Sequence, residues 1–335
     1  MNELDNHNHS EQEEENTPVS ENSENEEPQR ISPRYRNFHF LVSPVSAAFI
    51  GLFGGFILYQ FIGSFLTILV LGFDFDKAPA NSQRLMTAAG QILFILLPAL
   101  IFSRVFYRDV GYIIRAKMPR IGEVVIFLFG IIVLTPLLQS FQFLQNYAID
   151  EMAKNFSMVK DLKATFDWMN NMLDETYGTL LSVHNVFEGI LVVIVVSLIP
   201  ALSEEVMFRG FIQKSFELKI RPFWAALITA VFFGLYHFNP YGLIPLICLG
   251  LYFGFAAYMS DSIVVPMSLH FFNNFTAVIF YFIFGNEDFV KNNTKPNVDI
   301  WYSVISFLVL LVIFVSIIFV IKKYYSHSVK EREDV

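Results

Sequence analysis

Three short clusters in the second half of the chain place carboxylate, imidazole and amide side chains inside otherwise apolar sequence. They are Ser203-Glu204-Glu205-Val206-Met207-Phe208-Arg209, Phe233-Gly234-Leu235-Tyr236-His237 and His270-Phe271-Phe272-Asn273-Asn274. An ionised side chain within a membrane span costs at least about 2.5–3.5 kcal/mol, so each needs a partner or a task. Together, a Glu, two His and an Asn on separate helices are the parts of a hydrolytic site. Such a site needs a base for the attacking water and donors for the developing oxyanion.

Helix geometry sorts these residues. Each step along a helix turns about 100°. Arg209 follows Glu205 by four and shares its face, an acid-before-base spacing that favours an ion pair. Glu204 lies about 100° away and lacks that local partner. We therefore read Glu205 and Arg209 as a structural pair and Glu204 as the reactive carboxylate. His270 and Asn274 share a face, and Phe233 stands four before His237, where its ring can wall the imidazole. Taken singly, each has an ordinary explanation. Glu205 with Arg209 is a buried ion pair, either His an interhelical hydrogen-bonding residue, and Glu188 an interfacial acid.

The order Glu-Glu-x-x-x-Arg, Phe-x-x-x-His, His-x-x-x-Asn on successive apolar segments resembles the CAAX protease and bacteriocin-processing family. That family is also called Abi and includes the type II CAAX prenyl endopeptidases. The resemblance covers residues 180–285, with all three motifs complete. It implies an intramembrane endopeptidase in which Glu204 and His237 activate water, His270 and Asn274 stabilise the oxyanion, and Glu205, Arg209 and Phe233 orient them. Its substrates would be membrane-associated or lipid-anchored proteins or peptides, of CAAX type or as a bacteriocin or leader precursor. Metalloprotease chemistry is open as well, because Glu204, His237 and His270 would leave a position for water on zinc or another divalent metal. The His-Glu-x-x-His helix of zinc proteases, the Gly-x-Gly-Asp pattern of intramembrane aspartyl proteases and a Gly-x-Ser-x-Gly turn are all absent from the sequence. A proton-coupled transporter using intramembrane Glu and His, or a non-catalytic immunity or scaffold member of the family, are the competing readings. No nucleic-acid partner is expected.

The elements that must position these residues follow from composition. Of 335 residues 54% are hydrophobic and only 16% charged, against about 25% in an ordinary soluble domain. The formal charge of -8 is local: residues 1–28 hold ten of the 31 acids and no Lys or Arg, which leaves +2 for the rest. Residues 1–37 have too little apolar content to offset ordering entropy and read as a disordered acidic tail. A membrane domain over 38–325 and a short tail over 326–335 follow. Apolar runs at 41–72, 85–103, 122–142, 186–207, 223–238, 242–260, 263–284 and 301–321 predict an all-α bundle of about eight membrane helices contacting lipid. With the N-terminus inside, 15 Lys and Arg fall in inside segments and 7 in outside ones. This predicts both termini cytoplasmic, and for a bacterial host a place in the plasma or inner membrane. The spacing of Met152, Phe156, Val159, Leu162, Phe166, Met169 and Leu173 predicts an amphipathic helix at the membrane surface. The pairs Gly51/Gly55 and Gly250/Gly254 predict close helix contacts within the chain. The lone Cys248 excludes an intrachain disulfide, and its apolar surroundings predict burial.

Overall fold

The computed structural model describes residues 41–74, 77–291 and 300–333. The acidic segment 1–37 lies outside the described residues. What is described is helical. Seven helices are long and apolar enough to cross a membrane, making this an all-α, multi-pass membrane protein. They are α1 (Pro44–Leu71), α2 (Ala80–Tyr107), α3 (Ile121–Asn155), α5 (Val186–Glu217), α7 (Leu243–Ser260), α8 (Val264–Gly285) and α9 (Ile300–Ser326). The helix of α9 runs on to Glu333, through most of the segment read as a tail. Two further helices and the single turn Val110–Ile113 complete the described set. The two helices are α4 (Ser157–Leu181) and α6 (Pro222–Tyr236).

Two expectations change. The fifth apolar run is not a full span: α6 has 15 residues, roughly 22 Å at 1.5 Å per residue, against about 30 Å of hydrocarbon. It stops because Phe238 adopts a left-handed φ of 48° and Asn239-Pro240 follow, where the residue before proline is driven out of the helical region. The fourth run, expected to end at 207, instead continues as helix to Glu217. These two shifts bring Glu204 and His237 to similar distances from the neighbouring ends of their helices. Glu204 lies roughly 20 Å from the Glu217 end of α5, and His237 roughly 22 Å from Pro222 at the start of α6.

The helices pack around two apolar cores. Leu52, Ile95, Phe208, Phe211 and Phe233 build one from α1, α2, α5 and α6. Phe127, Ile131, Tyr252, Phe253 and Leu269 build the other from α3, α7 and α8, with α9 adding Ile321. The α6–α7 hairpin is the most extensive helix pairing and joins the two. The glycine pairs serve this intramolecular packing. Gly51 and Gly55 face Phe211 and Met207 of α5, and Gly254 faces Gln213. The closest approach is at Gly130 of α3, where an added Cβ would overlap the Tyr252 hydroxyl, which donates to the Phe127 carbonyl at 2.8 Å. Gly130→Ala is expected to cost about 1–3 kcal/mol of stability through this overpacking. Thermal unfolding in detergent checks it against Gly54→Ala, whose Cβ would meet nothing closer than 4.0 Å. Cys248, expected to be buried, is exposed on α7, so its apolar neighbours in sequence do not enclose it.

The helix α4 also differs from a plain surface helix. Its apolar stripe divides: Phe166 meets the Tyr241 ring edge-on at 5.8 Å, whereas Leu162 and Trp168 remain exposed. Tyr241 donates to Asp167 at 2.6 Å, and Lys163 pairs with the same carboxylate at 2.7 Å. Burial raises the Asp167 pKa, but these two hydrogen bonds and the Lys163 charge outweigh it and hold the carboxyl below its usual range. At its far end α4 is held by Arg84, whose Nε donates to Leu180 O at 2.9 Å and whose Nη2 donates to Ser182 O. The helix is thus fixed against α2 and the turn following α6.

Candidate active site

The first motif lies on α5, and its geometry follows from two neighbouring carboxylates facing different partners. Glu205 and Arg209 are fully buried and meet at 2.8 Å between Oε1 and Nη1. The expected pair is present. Arg209 also donates Nη2 to Gly250 O at 3.1 Å. Its guanidinium lies over Phe233 at 4.3 Å and over Phe253 at 5.3 Å, so both cores supply it with ring faces. Gly250 permits this, because a Cβ there would sit 3.2 Å from Nη2 and 3.3 Å from the Ala230 backbone.

His270 joins this pair. Its Nδ1 lies 2.8 Å from the same Glu205 Oε1, and its ring stacks on Phe253 at 5.3 Å. Its carboxylate partner is therefore Glu205. His237 caps α6, with Nδ1 2.7 Å from its own-turn carbonyl Phe233 O and its ring 4.8 Å from the Phe233 ring. Nδ1 must carry the proton to meet a carbonyl, so in the neutral ring Nε2 is an acceptor. The Phe233 ring also stands 6.0 Å from His270. One phenylalanine thus touches elements of all three motifs.

Glu204 is 8% exposed and faces α2. Its Oε1 accepts from Gln91 Nε2 at 2.9 Å, while its Oε2 is buried with no protein partner. Gln91 Oε1 in turn accepts from the Ser203 hydroxyl at 2.7 Å. Tyr59 of α1 stands beside Gln91 and within electrostatic reach of Glu204, as does Tyr177 of α4. Sequence reasoning missed Gln91, Tyr59 and Tyr177. The only available signal was a lone amide in the second apolar run. Asn274, one turn beyond His270, donates Nδ2 to Val196 O at 3.1 Å and accepts from Asn273 at 3.2 Å.

Wide π-helical turns recur around this region. Ile57–Gly63, Ile92–Leu96, Val193–Leu198 and Val206–Ile212 are all of this type. Such turns loosen the regular ladder and are frequent at functional sites. Here the Val196 carbonyl accepts from Asn274, and the Arg209 carbonyl accepts from Arg115 Nε at 3.2 Å.

The residues Glu204, His237 and His270 are not drawn together as a metal cage. His270 turns Nδ1 to Glu205, and among the described residues no group of three or more His, Cys, Asp or Glu is placed to hold a metal. The arrangement instead offers a carboxylate oxygen without a partner, backed by donors.

A cavity of about 420 Å³ lies between α1, α4 and the end of α6. Leu52, Phe53 and Phe56 of α1, Met169 of α4, and Leu235, Tyr236 and Phe238 around the end of α6 line it. His237 lies between two of these lining residues in sequence.

Residues 186–276 match the family model described as Rce1-like, type II CAAX prenyl endopeptidase. The matched stretch runs from α5 into α8 and contains all three motifs. It agrees with the resemblance read from Glu204, Glu205, Arg209, Phe233, His237, His270 and Asn274. Comparison with curated proteins and with solved structures gave no match.

Proposed function

From the likeness of α5 to α8 to type II CAAX prenyl endopeptidases, we propose that this chain is an intramembrane endopeptidase. It hydrolyses a peptide bond in a membrane-associated, lipid-anchored substrate. The observation that carries the reading is the Glu204 carboxylate. One of its oxygens is held by Gln91 and the other is buried without a partner, on the helix that opens the matched stretch.

In this reading Glu204 Oε2 takes a proton from water as the water oxygen attacks the scissile carbonyl. His237 accepts the second water hydrogen at Nε2 and so fixes the nucleophile. The oxyanion that forms is met by the second amide hydrogen of Asn274 and by the His270 ring, which Glu205 orients through Nδ1. Glu204 then passes its proton to the leaving nitrogen. The C–N bond breaks to give an amine and a carboxylic acid, and the acid releases the second water proton by way of His237 to the amine or to solvent, leaving a carboxylate. Every step uses the chain's own side chains. The apolar cavity lined by residues around the end of α6 suits a hydrocarbon chain, in keeping with a lipid-anchored substrate.

The test is direct. The purified chain in liposomes is given a peptide bearing an isoprenoid thioether four residues from its C-terminus, and its unlipidated twin. Mass spectrometry is expected to find a new C-terminal carboxylate on the lipidated peptide, formed in the presence of a chelator too. Failure to cleave either peptide overturns the proposal, and loss of cleavage with chelator overturns its metal-free mechanism.

A further inference from the structure

Gln91 lies on α2, well outside the stretch matched to the family, and is 5% exposed. It makes two contacts with consecutive residues of α5: Nε2 to Glu204 Oε1 at 2.9 Å, and Oε1 from the Ser203 hydroxyl at 2.7 Å. The Ser203 hydroxyl also lies 2.6 Å from its own-turn carbonyl Ile199 O. The amide has only one workable orientation. Turned over, it would set its oxygen against the carboxylate, which accepts only. The amide is therefore fixed on one side by Ser203 and delivers its hydrogen to one chosen oxygen of Glu204.

A polar staple between two helices would be satisfied by the Ser203 contact alone. The further reach to Glu204 has a different result: it leaves Oε2 as the oxygen without a partner in an apolar, buried setting. An orphan acceptor of that kind is costly to bury; Glu205 Oε2 is another, but its Oε1 is taken by Arg209 and lies beside His270 Nδ1. A group that fixes Oε1 thereby fixes where Oε2 points. Building on the reading of Glu204 as the base, we infer that Gln91 is a positioning residue for hydrolysis, holding the carboxylate so that Oε2 faces the attacking water.

The test is a double-mutant cycle on the reconstituted, full-length chain with the lipidated peptide. The variants are Gln91→Leu, Glu204→Asp and both together, with Glu204→Gln as the reference. Gln91→Leu is expected to lower kcat roughly ten- to hundredfold with KM unchanged, the scale on which misplaced reacting groups cost rate. In Glu204→Asp the carboxylate is drawn back by one methylene and out of Gln91's reach, so adding Gln91→Leu should cost nothing further. The same factor on both backgrounds would show a mere helix staple and overturn the inference, as would full activity of Gln91→Leu. Should Gln91→Leu fail to fold, the similarly shaped Gln91→Met replaces it, since a thioether brings no hydrogen to Oε1. The same loss and the same coupling are expected of it, and their absence overturns the inference. Cleavage by Glu204→Gln at the wild-type rate would instead bring down the proposed function. A dead Glu204→Gln with no coupling to Gln91 removes only the positioning role.

Discussion

Glu204→Gln protein is expected to fold as the wild type does and to lose roughly 10²- to 10⁴-fold in kcat, the usual contribution of a general base. The structure separates the two outcomes. The amide oxygen of the variant can still accept from Gln91, so the contact at 2.9 Å and the Ser203 link behind it survive. The group that changes replaces Oε2, which has no protein partner to lose. Thermal unfolding should therefore match the wild type while cleavage collapses, and KM should move little because binding of the substrate does not require the base. Initial rates from mass-spectrometric product counts, taken beside a melting curve of the same preparation, check both halves. Wild-type turnover by a correctly folded Glu204→Gln would end the case for this carboxylate.

The largest structural effect should come from Arg209. Arg209→Met removes the cation of a fully buried ion pair and leaves Glu205 with the His270 ring beside it. Breaking such a pair from one side costs about 3–5 kcal/mol, whereas replacing both partners is often nearly neutral. Arg209→Met is thus expected to lower the melting temperature markedly, and Glu205→Gln with Arg209→Met to recover much of it. The guanidinium also fills space between Phe233 and Phe253, which is why the long, polarizable methionine is the appropriate replacement. If the double variant is no more stable than the single one, the uncompensated carboxylate is not the reason for the loss.

How much of this was readable in the sequence depends on distance along the chain. The Glu205–Arg209 pair and the Phe233–His237 contact are four residues apart, so helical periodicity alone places them. The long spans were legible because twenty or so apolar residues have few other soluble or membrane fates. The contacts that define the site were not legible in this way. Gln91 reaches Glu204 across 113 positions and His270 reaches Glu205 across 65, and no local period encodes which of two adjacent carboxylates a distant helix will meet. The shortness of α6 was hidden for another reason. Hydropathy stays high on both sides of the His237–Gly242 turn, so the run reads as spanning although a left-handed Phe238 and the following Asn-Pro end it. The docking of α4 depends on Arg84 and Tyr241, which belong to apolar or turn sequence and carry no local sign of their partners.

The short α6 also couples the site to the lipid phase itself. A helix of roughly 22 Å falls several ångströms short of a hydrocarbon core of about 30 Å. The long helices accommodate a thicker or thinner bilayer by tilting, at a fraction of a kcal/mol per ångström. The α6–α7 hairpin has no spare length with which to do so, and His237 sits at its tip. Bilayer thickness is therefore expected to bear on the turn at His237 more than on the ends of the long helices, and cleavage rates in liposomes of differing acyl length check it.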